Sequence, residues 1–202
     1  GTVLPGDIKY QDVNGDGIIN SDDIVPIGNA RIPKVQYGFA GSVKWKGLDF
    51  NIFFRGAGKS DFFFGGTGFY PFAGERLGNV LSIVNNPKNR WTPASYSGDP
   101  ATENPNARFP RLTYGNNTNN NRPSTFWLAD ASYLRLKTLE VGYTIPKRLT
   151  EKMSMNNLRF SLIGDNLHVW DKVKFWDPEQ ASSNGAVYPL TRSYTVALQI
   201  AF

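Results

Sequence analysis

The densest run of chemistry-bearing residues lies between Asp12 and Asp23, reading Asp-Val-Asn-Gly-Asp-Gly-Ile-Ile-Asn-Ser-Asp-Asp. Counted from Asp12, oxygen-bearing side chains fall at loop positions 1, 3, 5, 9 and 12, supplied by Asp12, Asn14, Asp16, Asn20 and Asp23. Gly17 takes position 6, where a sharp turn is needed. Ile18 at position 7 would offer its backbone carbonyl, and Ile19 at position 8 would pack inward. This is the spacing of the 12-residue calcium loop, with Asp in place of the usual Glu at position 12. Carboxylates converging on a small volume repel one another unless a hard cation lies among them, and calcium accepts 6–8 such oxygens. The bland reading is a Gly-rich Asx turn. No second copy follows and no convincing helices flank the run, so the expected role is structural, with calcium as the cofactor.

Other candidate chemistry is sparse. His168 is the lone histidine; without a cysteine or a nearby serine nucleophile it makes no triad. Asp177 and Glu179 have the look of a glycosidase carboxylate pair, a pattern that also arises by chance in a polar loop. The loop aromatics, among them Trp91, Trp127, Trp170 and Trp176, would stack on sugar rings or cover a pore. The competing reading makes those of residues 57–132 the small hydrophobic core of their own loop. No enzymatic activity is expected.

Composition narrows the classes. The chain has 202 residues, no cysteine, and hence neither disulfides nor thiolate metal sites. Its net charge of +5 comes from scattered cations, with no Lys/Arg run longer than two residues, which argues against a nucleic-acid partner. No targeting leader is visible in the sequence. No run of 18 apolar residues exists, which excludes a transmembrane helix but not a barrel, whose strands give a much weaker hydropathy signal.

The elements that must position these residues read as strands. Tyr194, Val196, Leu198, Ile200 and Phe202 alternate with Ser193, Thr195, Ala197, Gln199 and Ala201, the period of a strand with two unlike faces. Such a strand faces lipid, or closes a soluble β-sandwich. Tyr37, Phe39, Gly41, Val43 and Trp45 alternate with small or polar residues. After Lys46-Gly47, Leu48, Phe50, Ile52 and Phe54 do the same, which predicts a tight hairpin. Leu134 and Leu136 share one phase while Leu139, Val141, Tyr143 and Ile145 take the other, predicting a β-bulge between them. Leu158, Phe160 and Leu162 alternate in the partner strand. The expected strands lie near 35–45, 48–56, 133–145, 158–167 and 193–202. The expected loops are 57–132 and 168–192, with one short helix over 75–84 carrying Leu77, Leu81 and Val84 on a face.

Several stretches taken together resemble the C-terminal end of the SusC/RagA family of TonB-dependent outer-membrane transporters. They are Pro5-Gly-Asp-Ile-Lys-Tyr-Gln-Asp-Val-Asn-Gly-Asp-Gly, Ile27-Gly-Asn, Pro33-Lys-Val-Gln-Tyr-Gly-Phe, Asn89-Arg-Trp-Thr-Pro, Phe109-Pro-Arg-Leu, Trp127-Leu-Ala-Asp-Ala-Ser-Tyr-Leu-Arg-Leu-Lys, Gly142-Tyr-Thr-Ile-Pro and the final Phe202. The resemblance implies an all-β fold, with antiparallel strands forming the C-terminal segment of a large transmembrane β-barrel with long extracellular loops. It implies a boundary at 34/35, with 1–34 an extracellular calcium loop and 35–202 the barrel segment. It also implies a place in the outer membrane against lipid, uptake of oligosaccharides or peptides, a SusD-like surface lipoprotein as partner, and coupling to the TonB complex through an N-terminal part carrying plug and TonB box. The runner-up is a secreted, calcium-stabilised β-sandwich that binds carbohydrate.

Overall fold

The computed structural model describes residues 3–73 and 80–202. Five long strands form one antiparallel sheet in the order β1-β2-β5-β6-β7. They are β1 (Val35–Trp45), β2 (Leu48–Gly58), β5 (Tyr133–Thr144), β6 (Asn157–Asp171) and β7 (Ser193–Ala201). Two short strands, β3 (Asp61–Phe63) and β4 (Leu128–Asp130), pair separately. The long sheet is open: β1 and β7 each have one neighbour.

The pairing follows from the alternation of the sequence. Lys46 and Gly47 both take positive φ (47° and 91°), the two-residue turn whose twist matches that of the strands it joins. It sets Trp45 opposite Leu48, and the register runs unbroken to Val35 opposite Gly58. The bulge expected in β5 is at Lys137, which is skipped in the pairing with β2 and stands opposite Asn166 and Leu167 of β6. Asn166 relieves the strain of two residues facing one by adopting φ 54°.

That bulge corrects one expectation. Gly164-Asp-Asn-Leu reads as the end of a strand, with His168 and Trp170 in the loop beyond. Instead the chain resumes pairing after the bulge, His168 opposite Leu136 and Asp171 opposite Tyr133, so β6 carries both residues. The asparagine that looks like a turn signal is a bulge residue.

The boundary expected at 34/35 is also corrected. The chain divides into two compact units, and both are discontinuous. One comprises residues 1–28, 62–129 and 182–186; the other comprises 29–61, 130–181 and 187–202 and contains the five-stranded sheet. Residues 1–28 fold with the long β2–β5 connection because side chains of both form shared hydrogen bonds, described below.

The connection itself is organised around rings. Phe69 stacks on Phe64 (centroids 4.9 Å apart) and meets Trp127 edge-on (5.7 Å). Tyr70 and Phe126 also lie edge-on to Trp127, at 5.3 and 4.8 Å. Phe64, Phe69, Tyr70, Phe109 and Trp127 are buried, so this unit has its own aromatic core. The helix expected over 75–84 falls partly on residues 74–79, outside the described residues. Helix α1 covers Ser82–Asn85, with Val84 fully buried, and α2 covers Ala94–Ser97.

Candidate functional site

The acidic loop folds on its own amides. Asp12 accepts from the Gly15 amide (2.6 Å) and the Gly17 amide (2.7 Å). Asn14 accepts from Asp16 N (3.0 Å), and Asp16 from Ile18 N (2.8 Å). Asp23 closes the loop by accepting from Val13 N (2.7 Å) and Asn20 N (2.8 Å), while Asn20 caps the next turn by accepting from Asp22 N. The Asn20 and Val13 amides hold the Asp23 carboxyl below its ordinary value. Every side-chain acceptor in these bonds is a hard oxygen, the type calcium takes. Among the described residues no three acidic or histidine side chains converge as a metal-holding group. Ile19, expected to pack inward, is 43% exposed, because the turn is closed by Asx hydrogen bonds and not by packing.

The four tryptophans stand in different local settings. Trp127 is 3% exposed in the aromatic core and its Nε1–H donates to Asn120 O (2.6 Å), so it packs the loop and presents no face for stacking. Trp91 lies against Gly6. Trp170 is exposed on β6, edge-on to His168 (4.4 Å) and 6.3 Å from Phe54. Trp176 neighbours Phe175 at 5.8 Å. His168 is thus part of an aromatic row on a strand. Asp177 and Glu179 are occupied by Arg135, whose Nη2 lies 2.6 Å from Asp177 and whose Nε lies 2.7 Å from Glu179. They form one ion pair with a buried guanidinium and not a catalytic dyad.

Two polar clusters carry more structure than residue type alone announces. In the first unit, Asp7, its side chain 2% exposed, accepts from Asn120 Nδ2 (2.8 Å), Asn117 Nδ2 (3.3 Å) and the Leu4 amide (2.9 Å), and pairs with Arg111 Nε at 2.7 Å. Arg111 N donates to Gly6 O (2.9 Å), and Trp91 N to Phe109 O (3.0 Å). Three stretches far apart in sequence, around Gly6-Asp7, Trp91 and Phe109-Pro-Arg111, therefore meet. Gly6 at φ +85° lies where any Cβ would run into the Trp91 ring. In the sheet, Arg159 Nη2 bonds Glu140 (2.7 Å) while Arg159 Nε bonds Asp49 (3.0 Å). The room for this reach comes from Gly142, which stands in register between Asp49 and Ser161. The clusters are invisible to a linear reading because their members are about a hundred residues apart.

The two faces of the sheet differ. One register row runs Trp45–Leu48–Tyr143–Phe160–Leu198, the next Val43–Phe50–Val141–Leu162–Val196, and the next Gly41–Ile52–Leu139–Gly164–Tyr194. This apolar face is uncovered: Leu162 is 61% and Val196 77% exposed. The opposite rows are Lys44–Asp49–Gly142–Ser161–Ala197 and Ser42–Asn51–Glu140–Ile163–Thr195. A secreted sandwich would need a second sheet over the apolar face, and the described residues provide none.

No family model matches the chain. TonB-dependent receptor P26 of Formosa agariphila is 30% identical over 212 residues, covering 98% of this chain and 20% of the receptor. TonB-dependent receptor P3 of the same organism is 25% identical, covering 98% and 19%. Among solved structures, the RagAB peptide transporter matches with a TM-score of 0.68 at 24% identity, over 91% of this chain and 19% of that one. The RagAB peptide importer in its closed-closed state gives 0.70 at 24%, over 97% and 21%. The chain thus spans about a fifth of the length of the relatives it matches, and on this sequence identity, with a shared fold, it is homologous to TonB-dependent receptors.

Proposed function

We propose that this chain is a wall segment of a TonB-dependent outer-membrane transporter of the SusC/RagA kind, importing oligosaccharides or peptides. One observation carries the reading: five antiparallel strands share a continuous, uncovered apolar face and a polar opposite face. From Tyr37 to Trp45 the face is about 27 Å long at ~3.4 Å per residue. Tilted by about 40°, it spans roughly 20 Å of the ~25 Å apolar band of such barrels. The unpaired edges of β1 and β7 would join the remaining wall, since an open sheet cannot exist in lipid. A SusD-like lipoprotein as lid, the TonB complex as energy source and the outer membrane as location belong to the same proposal. The relatives support it, being TonB-dependent receptors and, among the structures, a peptide transporter.

Connection lengths support a sidedness. At one end of the strands lie the turn at Lys46-Gly47 and the connection 145–156, which holds helix α3 (Lys147–Thr150); at the other lie 59–132 and 172–192. Barrels of this class have short periplasmic turns and long extracellular loops, so the second end faces outward. In the full-length receptor, Tyr188→Cys should label in intact cells, and Lys46→Cys only after lysis. The reverse pattern, or recovery of the receptor outside the outer-membrane fraction, would refute the proposal.

The acidic loop is proposed to bind one calcium ion through Asp12, Asn14, Asp16, Asn20, Asp23 and the Ile18 carbonyl. The ion would supply the positive charge that lets these oxygens approach. Calorimetry with calcium should give heat for the parent receptor and little for Asp16→Ala; equal heats would remove the site.

A further inference from the structure

A pocket of 180 Å³ opens on the polar face of the sheet, near the end where the long connections leave. Arg31, Gln36, Arg55, Tyr133 and Glu179 line it. Arg55 stands directly opposite Arg135 across the β2–β5 pair, a placement of like charges that costs stability unless anions sit between them. Among the described residues the anions are shared unequally between the two. Arg135, 2% exposed, takes Asp177 and Glu179 at 2.6 and 2.7 Å. For Arg55 the nearest carboxylate oxygen is Glu179 Oε2 at 3.9 Å, beyond hydrogen-bond reach, and its side chain is 46% exposed. Arg31 is exposed and makes no ion pair among the described residues. The pocket therefore holds two cations against one carboxylate that a buried guanidinium already bonds at 2.7 Å, and the Arg55 guanidinium makes only a long ion pair with it.

We propose that this pocket is a cargo subsite for a carboxylate group. The fork of Arg55 matches the two oxygens of a carboxylate in a bidentate pair, the geometry that makes arginine selective for such groups. Arg31 adds a second positive charge, and the Gln36 carboxamide a neutral donor. The Arg135 ion pair positions the wall by pinning the Pro178–Gln180 turn without consuming Arg55. The volume holds a carboxylate and the carbons that bear it, so the rest of an oligomer lies along the wall outside. The inference rests on the transporter reading, which makes the polar face the lumen. An acidic peptide and a uronic-acid saccharide both present the required group.

Calorimetry on the full-length receptor in detergent tests it with matched probes. These are tetra-alanine with a free C-terminal carboxylate against its amide, and a galacturonic acid trimer against a neutral galactose trimer. At least one acid should bind about tenfold or more tighter than its neutral counterpart, the scale of a charge-assisted pair. Arg55→Gln should erase that advantage, and Arg148→Gln, on the short connection at the other end of the strands, should leave it intact. Which acid shows the advantage identifies the source of the carboxylate. The subsite is overturned if neither acid outbinds its neutral partner, or if the advantage survives Arg55→Gln. Either result in a receptor correctly recovered from the outer membrane leaves the transporter reading standing, whereas failure to reach that membrane removes the reading itself.

Discussion

Removing the Asp7 carboxylate is the most informative single perturbation of the first unit. Its side chain is 2% exposed; its oxygens accept from Arg111 Nη2 (3.1 Å), Asn120 Nδ2 (2.8 Å), Asn117 Nδ2 (3.3 Å) and the Leu4 amide (2.9 Å), and lie 2.7 Å from Arg111 Nε in an ion pair. Asp7→Ala takes their acceptor from the Arg111 guanidinium, Asn120 Nδ2 and the Leu4 amide, while Asn117 Nδ2 keeps Thr113 Oγ1. Breaking a buried pair from one side costs about 3–5 kcal/mol. At ~1.4 kcal/mol per power of ten, local opening should become about a hundred- to several-thousand-fold more frequent. Hydrogen exchange on the full-length receptor reads this directly: peptides covering 4–10 and 109–121 should lose protection, while those from β5 and β6 should not. The pH dependence has a definite sign. Burial alone would raise the Asp7 carboxyl, but the Arg111, Leu4 and Asn120 bonds outweigh it and hold it below the ordinary value. A depressed folded value gives stability that is present above the unfolded value near 3.9 and is lost as pH falls through the folded one. Protection, corrected for intrinsic exchange, should therefore hold at pH 5, begin to fall below about pH 4 and go on falling as pH drops through the depressed folded value. Unchanged exchange in Asp7→Ala would refute the claim that this carboxylate ties residues 1–28 to the long connection.

Three further outcomes follow from the same geometry. Gly6→Ala puts a Cβ into the Trp91 ring at φ +85°, so it should cost about 1–2 kcal/mol from the left-handed backbone alone, read as faster proteolysis of the first unit on intact cells. Gly142→Ala drives a Cβ into Arg159 and Asp49 and should lower the temperature at which the receptor unfolds in detergent; an unchanged midpoint would mean that Arg159 reaches Asp49 by another route. Leu162→Arg places a charge in the middle of the apolar face and should cost about 2–4 kcal/mol of insertion, whereas Thr195→Arg, on the opposite face, should insert normally; equal yields from the two would contradict a lipid-facing surface.

The sheet was legible because its signal is local. Period-two alternation names the strands and their faces from Val35 to Trp45 and from Ser193 onward, and Lys46-Gly47 names the turn between two of them. Legibility failed where one residue type serves two conformations. Asn166 after Gly164-Asp165 reads as a turn, yet the same tolerance for positive φ serves a bulge, and β6 runs on to Asp171. Only the pairing with Tyr133–Leu136 decides between the two, and that pairing is not written in residues 164–167. The phase change around Lys137 was visible because it disturbs an alternation already established on both sides.

The polar clusters fail for a different reason, and it bears on where selectivity resides. Asp7 and Arg111 are ordinary charged residues in irregular stretches, and their burial is a product of three segments meeting. Gly142, Asp49 and Arg159 look like three unrelated positions until register places the glycine between the aspartate and Ser161. In both clusters every charge is answered within the chain, so each is complete as structure. Arg55 is the contrast: register sets it against Arg135, and the loop carboxylates hydrogen-bond its neighbour while Glu179 reaches Arg55 only as a 3.9 Å ion pair. A sheet that neutralises its buried cations and leaves a half-exposed one on the polar face has an imbalance that folding does not require. Neutralising Arg55 should therefore leave stability within about ±0.5 kcal/mol, as for a surface substitution, while altering which cargo is held. A loss of several kcal/mol in the unfolding of Arg55→Gln would show instead that Arg55 is one more strut.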